Sequence, residues 1–270
     1  MNNSIIQLLN YSVNIMIDTH SHIYEDDFKE DIDGAIDRLE QVPIYKVLLP
    51  NVDSGTIEKM HALERKRPDL FHPMMGVHPS SINANYREEL ETADKWLSKG
   101  GYCAVGEIGI DLYWDKTFVN EQIIAFETQI GWAIEKELPV VIHSRESFDT
   151  ICTSLKKFDK KHLRGIFHSF AGDVEITEKI FSLGNFKLGI NGIVTFKNSG
   201  LDKTVAQLPL EKIVLETDSP YLAPSPYRGK RNESAYLSLV AQKIAEIKEK
   251  PVEKIAEITT QNALELFSLD

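Results

Sequence analysis

Eight short apolar runs, each followed by a helical pattern, limit what this chain can fold into. Val13–Asp18 predicts a first strand and Asp31–Glu40 the helix after it. Further strands are predicted at Tyr45–Leu49, Phe71–Gly76, Tyr102–Gly106, Pro139–Ile142, Gly165–Phe167, Phe186–Ile190 and Ile213–Thr217. The helical patterns between and after them are Thr56–Arg65, Arg87–Leu97, Glu121–Lys136, Ser147–Phe158, Glu175–Ser182, Lys203–Gln207 and Ala235–Lys248. A last helix at Val252–Leu266 closes the series. The strands are short and apolar rather than alternating, as expected of parallel strands covered on both faces.

Eight such units in 270 residues, with no Pro/Ser/Gly-rich linker, predict an α/β chain folded as a single-domain (β/α)8 TIM barrel, a fold of about 250 residues. A doubly wound open sheet is the competitor, but no glycine-rich turn follows the first strand to support a nucleotide there. The barrel is expected over residues 16–270, with residues 1–15 as an N-terminal extension or a lead-in to the first strand. The 42% apolar and 26% charged residues fit a globular chain and exclude a disordered or collagen-like one. No run approaches the roughly 20 apolar residues of a membrane helix. The formal charge of −11 is not that of a protein coating duplex DNA, though a local pocket can still take a strand end. Cys103 and Cys152 make no disulfide framework, and no secretory or transit signal is visible, so a reducing, cytoplasmic setting is expected. Cys103, Trp96 and Trp132 read as core residues.

Polar residues, most of them capable of binding metal, follow the apolar runs directly. They are His20 and His22 after the first strand, Glu107 and Asp111 after the fourth, His143 and Arg145 after the fifth, His168 after the sixth and Asp218 after the eighth. In a barrel these strand ends converge on the active-site face. Each signal alone is weak, since a His at a strand end is commonly structural and an acid there is commonly a helix cap. Four His, one Glu and one Asp at the same end are costly to bury unless satisfied, and a metal satisfies them. Six ligands exceed one tetrahedral ion with an open position and suit two ions sharing a carboxylate. His20, His22 and Asp218 are assigned to one ion, His143 and His168 to the other, and Glu107 to the bridge. Imidazole-rich ligands favour Zn²⁺ or Mn²⁺ over Mg²⁺. Such a centre supports hydrolysis by two-metal activation of water, with Asp218 placed to orient the water or accept its proton.

These residues, with Gly76-Val77-His78-Pro79, Gly106-Glu107-Ile108-Gly109-Ile110-Asp111, His143-Ser144-Arg145, His168-Ser169-Phe170, Glu216-Thr217-Asp218-Ser219-Pro220 and Arg228-Gly229-Lys230-Arg231-Asn232-Glu233, resemble the TatD family of metal-dependent deoxyribonucleases. The resemblance covers the whole barrel. It implies a TIM barrel, a two-metal centre served by Mg²⁺ or another divalent ion, and 3′-to-5′ exonuclease action on DNA, sometimes RNA. It places metal roles on His20, His22, Glu107, His143, His168 and Asp218, with Glu107 and Asp218 catalytic. Ile110 and Ser234 depart from the family's usual Leu and Pro. The second puts substrate preference in doubt more than catalysis.

Supporting residues are read individually. His78 could contact a substrate phosphate or make a core hydrogen bond. Arg145 could grip a phosphate as a bidentate donor or form a surface ion pair. Arg228 and Lys230, with Arg231, could guide a strand electrostatically. Tyr113 and Trp114 could stack on a base or simply pack. Asp111 and Glu216 could support ligand histidines or cap loops. The expected partner is DNA, single-stranded or at 3′ ends, with RNA open, and neither a membrane nor an obligate protein partner is inferred. An aminoacyl-tRNA deacylase or a small-molecule amidohydrolase would use the same centre on an ester or amide. A catalytically dead nucleic-acid scaffold has no need of six convergent ligands.

Overall fold

The computed structural model describes residues 15–269. Except for Ile15, the N-terminal segment read as an extension lies outside them. In chain order the strands are β1 (Met16–Asp18), β2 (Ile44–Pro50), β3 (Phe71–Met74), β4 (Val105–Asp111), β5 (Val140–Arg145), β6 (Arg164–Phe167), β7 (Asn185–Ile190) and β8 (Ile213–Leu215). The helices are α1 (Ile32–Glu40), α2 (Ile57–Lys66), α3 (Tyr86–Leu97), α4 (Val119–Glu135), α5 (Phe148–Leu155), α6 (Val174–Leu183), α7 (Leu201–Gln207), α8 (Leu237–Lys248) and α9 (Val252–Phe267). The alternation read from the sequence is therefore present throughout the described residues. It is the element order of a TIM-barrel-like α/β fold.

The chain divides into two compact units. The first takes in the residues up to Leu48, Ser169–Val174 and the chain from Leu188 onward. Within it β1 runs parallel to β2, with Asp18 opposite Val47. The end of β7 runs parallel to β8, with Ile190 opposite Leu215. β8 and β1 are joined where Thr19 N donates to Leu215 O at 3.0 Å and by a parallel bridge between Ser21 and Ser219. Helix α9 secures the bases of these strands. Asn262 Nδ2 donates to Leu210 O and Ile213 O, and Thr260 Oγ1 donates to Ile15 O.

The second unit comprises Leu49–His168 and Glu175–Lys187. Here β3 leads to β4 through a parallel bridge between Met75 and Val105. β4 pairs in parallel with β5, and β5 with β6. Val105, Ile108, Ile110, Val141, Ile142 and Ile166 are all buried. Parallel strands covered on both faces bury their apolar residues in this way.

Three expectations need correction. The fourth strand is not at Tyr102–Gly106 but at Val105–Asp111. Its seven residues are all buried, although Glu, two Gly and Asp interrupt the apolar run that marks the other strands. Trp96 and Trp132 are half-buried rather than core. Trp96 stacks on His61, and the Lys99 ammonium lies over the Trp96 ring at 3.1 Å from its centroid. An aromatic ring can cover the core with one edge while a cation shields it from water. Cys103 is likewise half-buried, ahead of β4 rather than in it, with its thiol directed at Pro73 O.

Candidate metal sites

In the first unit, the chain leaving β1 brings His20 and His22 to one place because they are two residues apart. Backbone bonds hold this segment on both sides. Ser21 N donates to Leu48 O, His22 N to Ser219 O, and Asp218 N to His20 O. The two imidazole Nε2 atoms lie 3.1 Å apart. Asp218 Oδ1 is 3.8 Å from His20 Nε2 and 3.9 Å from His22 Nε2. The three donors fall within 4.8 Å of one another, and all three residues are buried. Two neutral imidazoles and a carboxylate suit Zn²⁺, Mn²⁺ or a similar ion and leave room for further ligands.

Buried polar groups support this set. Asp18 accepts from Thr217 N at 2.9 Å and from Thr217 Oγ1 at 2.6 Å. Burial pushes its carboxyl up to about 7, against the hydrogen bonds from Thr217, Ser234 and the His20 backbone. Asn232 Nδ2 donates to Thr217 O at 2.8 Å and to Tyr221 O at 2.7 Å, which ties down the backbone on both sides of Asp218. Asp218 itself has a left-handed backbone, φ 59°, which Asp tolerates better than most residues. Ser234 Oγ donates to Ser21 Oγ at 3.0 Å. This residue, where the family usually carries Pro, therefore makes a specific contact beside the histidine segment. Glu216 Oε1 accepts from Ser169 N at 2.6 Å, so it anchors the backbone next to His168. A side chain on Gly189 would place its Cβ 2.0 Å from Glu216 Oε2, which explains the glycine there.

In the second unit, Glu107 and Asp111 lie on the same face of β4, four residues apart. The His143 ring sits between them. Its Nδ1 is 2.9 Å from Glu107 Oε1 and its Nε2 is 3.0 Å from Asp111 Oδ2. His78 Nε2 approaches His143 Nδ1 at 3.3 Å and Glu107 Oε1 at 3.5 Å. His168 Nε2 lies 3.9 Å from the same Glu107 oxygen. Donor atoms of His78, Glu107 and His143 fall within 4.8 Å of one another. Burial opposes a charge on His143, but the hydrogen bonds with Asp111 and Glu107 outweigh it and raise its pKa to about 9. Asp111 is held below the usual carboxylate range. Burial works against its charge, and the His143 hydrogen bond and the Tyr113 amide overcome that. A divalent ion fits this set once it displaces the His143 proton, as metal binding to imidazole requires.

A model of the family described as "TatD related DNase" matches residues 17–268. The chain belongs to the TatD family. It is 34% identical over 258 residues to YabD of Bacillus subtilis (strain 168), an uncharacterized metal-dependent hydrolase, covering 95% of this chain and 100% of that protein. It is 31% identical over 261 residues to YcfH of Escherichia coli (strain K12), another uncharacterized metal-dependent hydrolase, covering 94% and 96%. The crystal structure of YjjV, a TatD homologue from Escherichia coli K12, superposes with a TM-score of 0.86 at 27% identity, over 94% of this chain and 98% of that one. The protein is thus a metal-dependent hydrolase of the TatD family with its TIM-barrel-like fold.

The remaining predicted residues of this TatD chain fall into distinct environments. His78, read from the sequence as either a phosphate contact or a core hydrogen bond, stands among the donors of the second unit. The Arg145 guanidinium lies 4.0 Å over the Tyr113 ring and 5.1 Å over Trp114. Trp114 is 73% exposed. Asp111 Oδ1 accepts from Tyr113 N, which links this aromatic group to the His143 partner. In the first unit, Arg228 lies 4.4 Å over Phe196 and Lys230 is exposed. Arg231 is committed to Asp31 and Glu233, which also bind Arg38. Sequence reasoning missed Asn232 as a brace for Asp218, and Tyr24, whose hydroxyl is 2.9 Å from His22 Nδ1. A side chain two residues beyond His22 was a usable signal for Tyr24. For Asn232 only its place in the Arg228–Glu233 motif was.

Proposed function

We propose that this TatD-family hydrolase cuts phosphodiester bonds of DNA, acting from the 3′ end with two divalent ions. The observation that carries the reading is the His20–His22–Asp218 set, three buried donors within 4.8 Å of one another. The description of the matching family as a DNase supplies the substrate class. His20, His22 and Asp218 would hold one ion, and Glu107 and His143, with His78 and His168 beside them, would hold the other.

When bound, the ions supply Lewis acidity, which acidifies a water and draws charge from the phosphate oxygens. The protein's own residues do the rest. Asp218 has a second carboxylate oxygen to orient the attacking water and take its proton. Asn232 keeps that carboxylate in position by fixing the backbone before and after it. Arg145 offers a planar pair of donors to a phosphate. Trp114 and Tyr113 offer ring faces to an unpaired base, a contact that tolerates any sequence. Arg228 and Lys230 add local positive charge to a chain that is acidic as a whole.

The test is digestion of a 5′-labelled single-stranded oligonucleotide by metal-reconstituted protein with Mg²⁺ or Mn²⁺. A ladder shortening from the 3′ end, abolished by chelator and by Asp218→Asn, is expected. An intact oligonucleotide with fully loaded protein would reject the nuclease reading and direct the search to ester or amide substrates.

A further inference from the structure

We propose that the Tyr24 hydroxyl fixes His22 as the tautomer protonated on Nδ1, so that Nε2 presents its lone pair to a divalent ion. The inference rests on the reading of His20, His22 and Asp218 as a metal site and adds a positioning residue to it.

The geometry leaves the His22 ring little choice of direction. Its backbone N–H is held by Ser219 O at 2.7 Å, and its carbonyl accepts from Glu25 N at 2.9 Å. Its Nε2 points at the other donors, 3.1 Å from His20 Nε2 and 3.9 Å from Asp218 Oδ1. Its Nδ1 points away from them and meets the Tyr24 hydroxyl at 2.9 Å. The two rings meet edge to face, with centroids 5.8 Å apart. Tyr24 is 7% exposed, so bulk water does not compete freely for that contact.

A neutral imidazole has one donor nitrogen and one acceptor nitrogen, and the partner of one decides the role of the other. With the phenol oxygen accepting from Nδ1–H, the Nε2 lone pair faces the donor set, where His20 Nε2 at 3.1 Å can donate to it until an ion takes that place. Ligand histidines commonly give their second N–H to a carboxylate or a carbonyl. A neutral phenol does the same work without adding charge, so the donor set keeps the single negative charge of Asp218.

The test uses ¹⁵N-labelled, metal-free protein, with the His22 ring signals assigned by their loss in His22→Gln. In the wild type, Nδ1 is expected to be pyrrole-type and Nε2 pyridine-type, and Zn²⁺ is expected to shift Nε2. In Tyr24→Phe the two tautomers are expected to mix, and the Zn²⁺ affinity read from His22 is expected to fall about 10- to 100-fold. A merely structural role would lower the melting temperature of the metal-free protein without moving the tautomer. The wild-type spectrum decides the matter even where the variant folds poorly. A wild-type His22 protonated on Nε2, or equal Zn²⁺ affinity in Tyr24→Phe, would overturn the role of Tyr24 and leave the metal site standing. A His22 signal that ignores Zn²⁺ would overturn both.

Discussion

Asp111 Oδ2 lies 3.0 Å from His143 Nε2, on the opposite side of the ring from Glu107. The ring is thus held between two carboxylates that β4 presents on one face. In the metal-free protein this arrangement keeps His143 charged to about pH 9, well above its ordinary 6.5. The charged form stabilises the fold fully below about pH 6.5, and that contribution is lost as pH rises toward about 9. Metal binding at this ring must displace a proton, so affinity is expected to rise with pH across the same window. Asp111→Asn removes one of the two carboxylates. The His143 titration midpoint, followed by NMR without metal, is expected to fall back toward 6.5. An unmoved midpoint would show that Asp111 does not govern the ring.

Asn232 bridges Thr217 O and Tyr221 O with one amide group. Asn232→Asp would set a carboxylate oxygen against two carbonyl oxygens in a buried place. The expected cost is about 1–3 kcal/mol of stability. The turnover number is expected to fall with it, because Asp218 loses its brace. Calorimetry and steady-state kinetics check this together, and a stable variant with normal turnover would remove Asn232 from the account.

Trp114 is the most exposed large apolar side chain among the described residues, and it lies beside Arg145. Trp114→Ala should weaken oligonucleotide binding by roughly 1–3 kcal/mol, seen chiefly as a higher KM. Fluorescence offers an independent check, since a stacked base quenches the Trp114 emission. An unchanged KM would assign Trp114 to another role.

Gly109 adopts φ 157°, and a Cβ there would lie 2.0 Å from His143 O. Gly109→Ala must therefore push β4 away from β5. A destabilisation of about 1–3 kcal/mol is expected, equivalent to a fall in Tm of roughly 2–12 °C. A Tm equal to that of the wild type would mean that the strands can yield at no cost.

The strand–helix alternation was legible because buried parallel strands demand apolar runs, and Val47–Leu49 in β2 and Val140–Ile142 in β5 supply them. β4 was not fully legible. Its Glu107, Gly109 and Asp111 are the residues that the site requires, and they break the hydrophobic run that betrays a strand. His20, His22, His143 and Asp218 stood out in the sequence because their types follow apolar runs, His143 within β5 itself. The placement of His78 beside Glu107 could not be read, since it depends on how far the loop after β3 turns back. Asn232 was missed for a related reason, since its hydrogen bonds to Thr217 O and Tyr221 O are made after a reversal of the chain. Tyr24 was missed although its spacing from His22 was legible, because that spacing alone does not say where the hydroxyl points.

Metal content is the most direct check on the central claim that the two donor sets each hold a divalent ion. After reconstitution with Zn²⁺ or Mn²⁺ and removal of loose metal, elemental analysis of the wild type is expected to give two ions per chain. The His20→Ala/His22→Ala double variant is expected to lose the ion held by the first set. A wild type that retains no ion, or a double variant that retains as many ions as the wild type, would contradict the account.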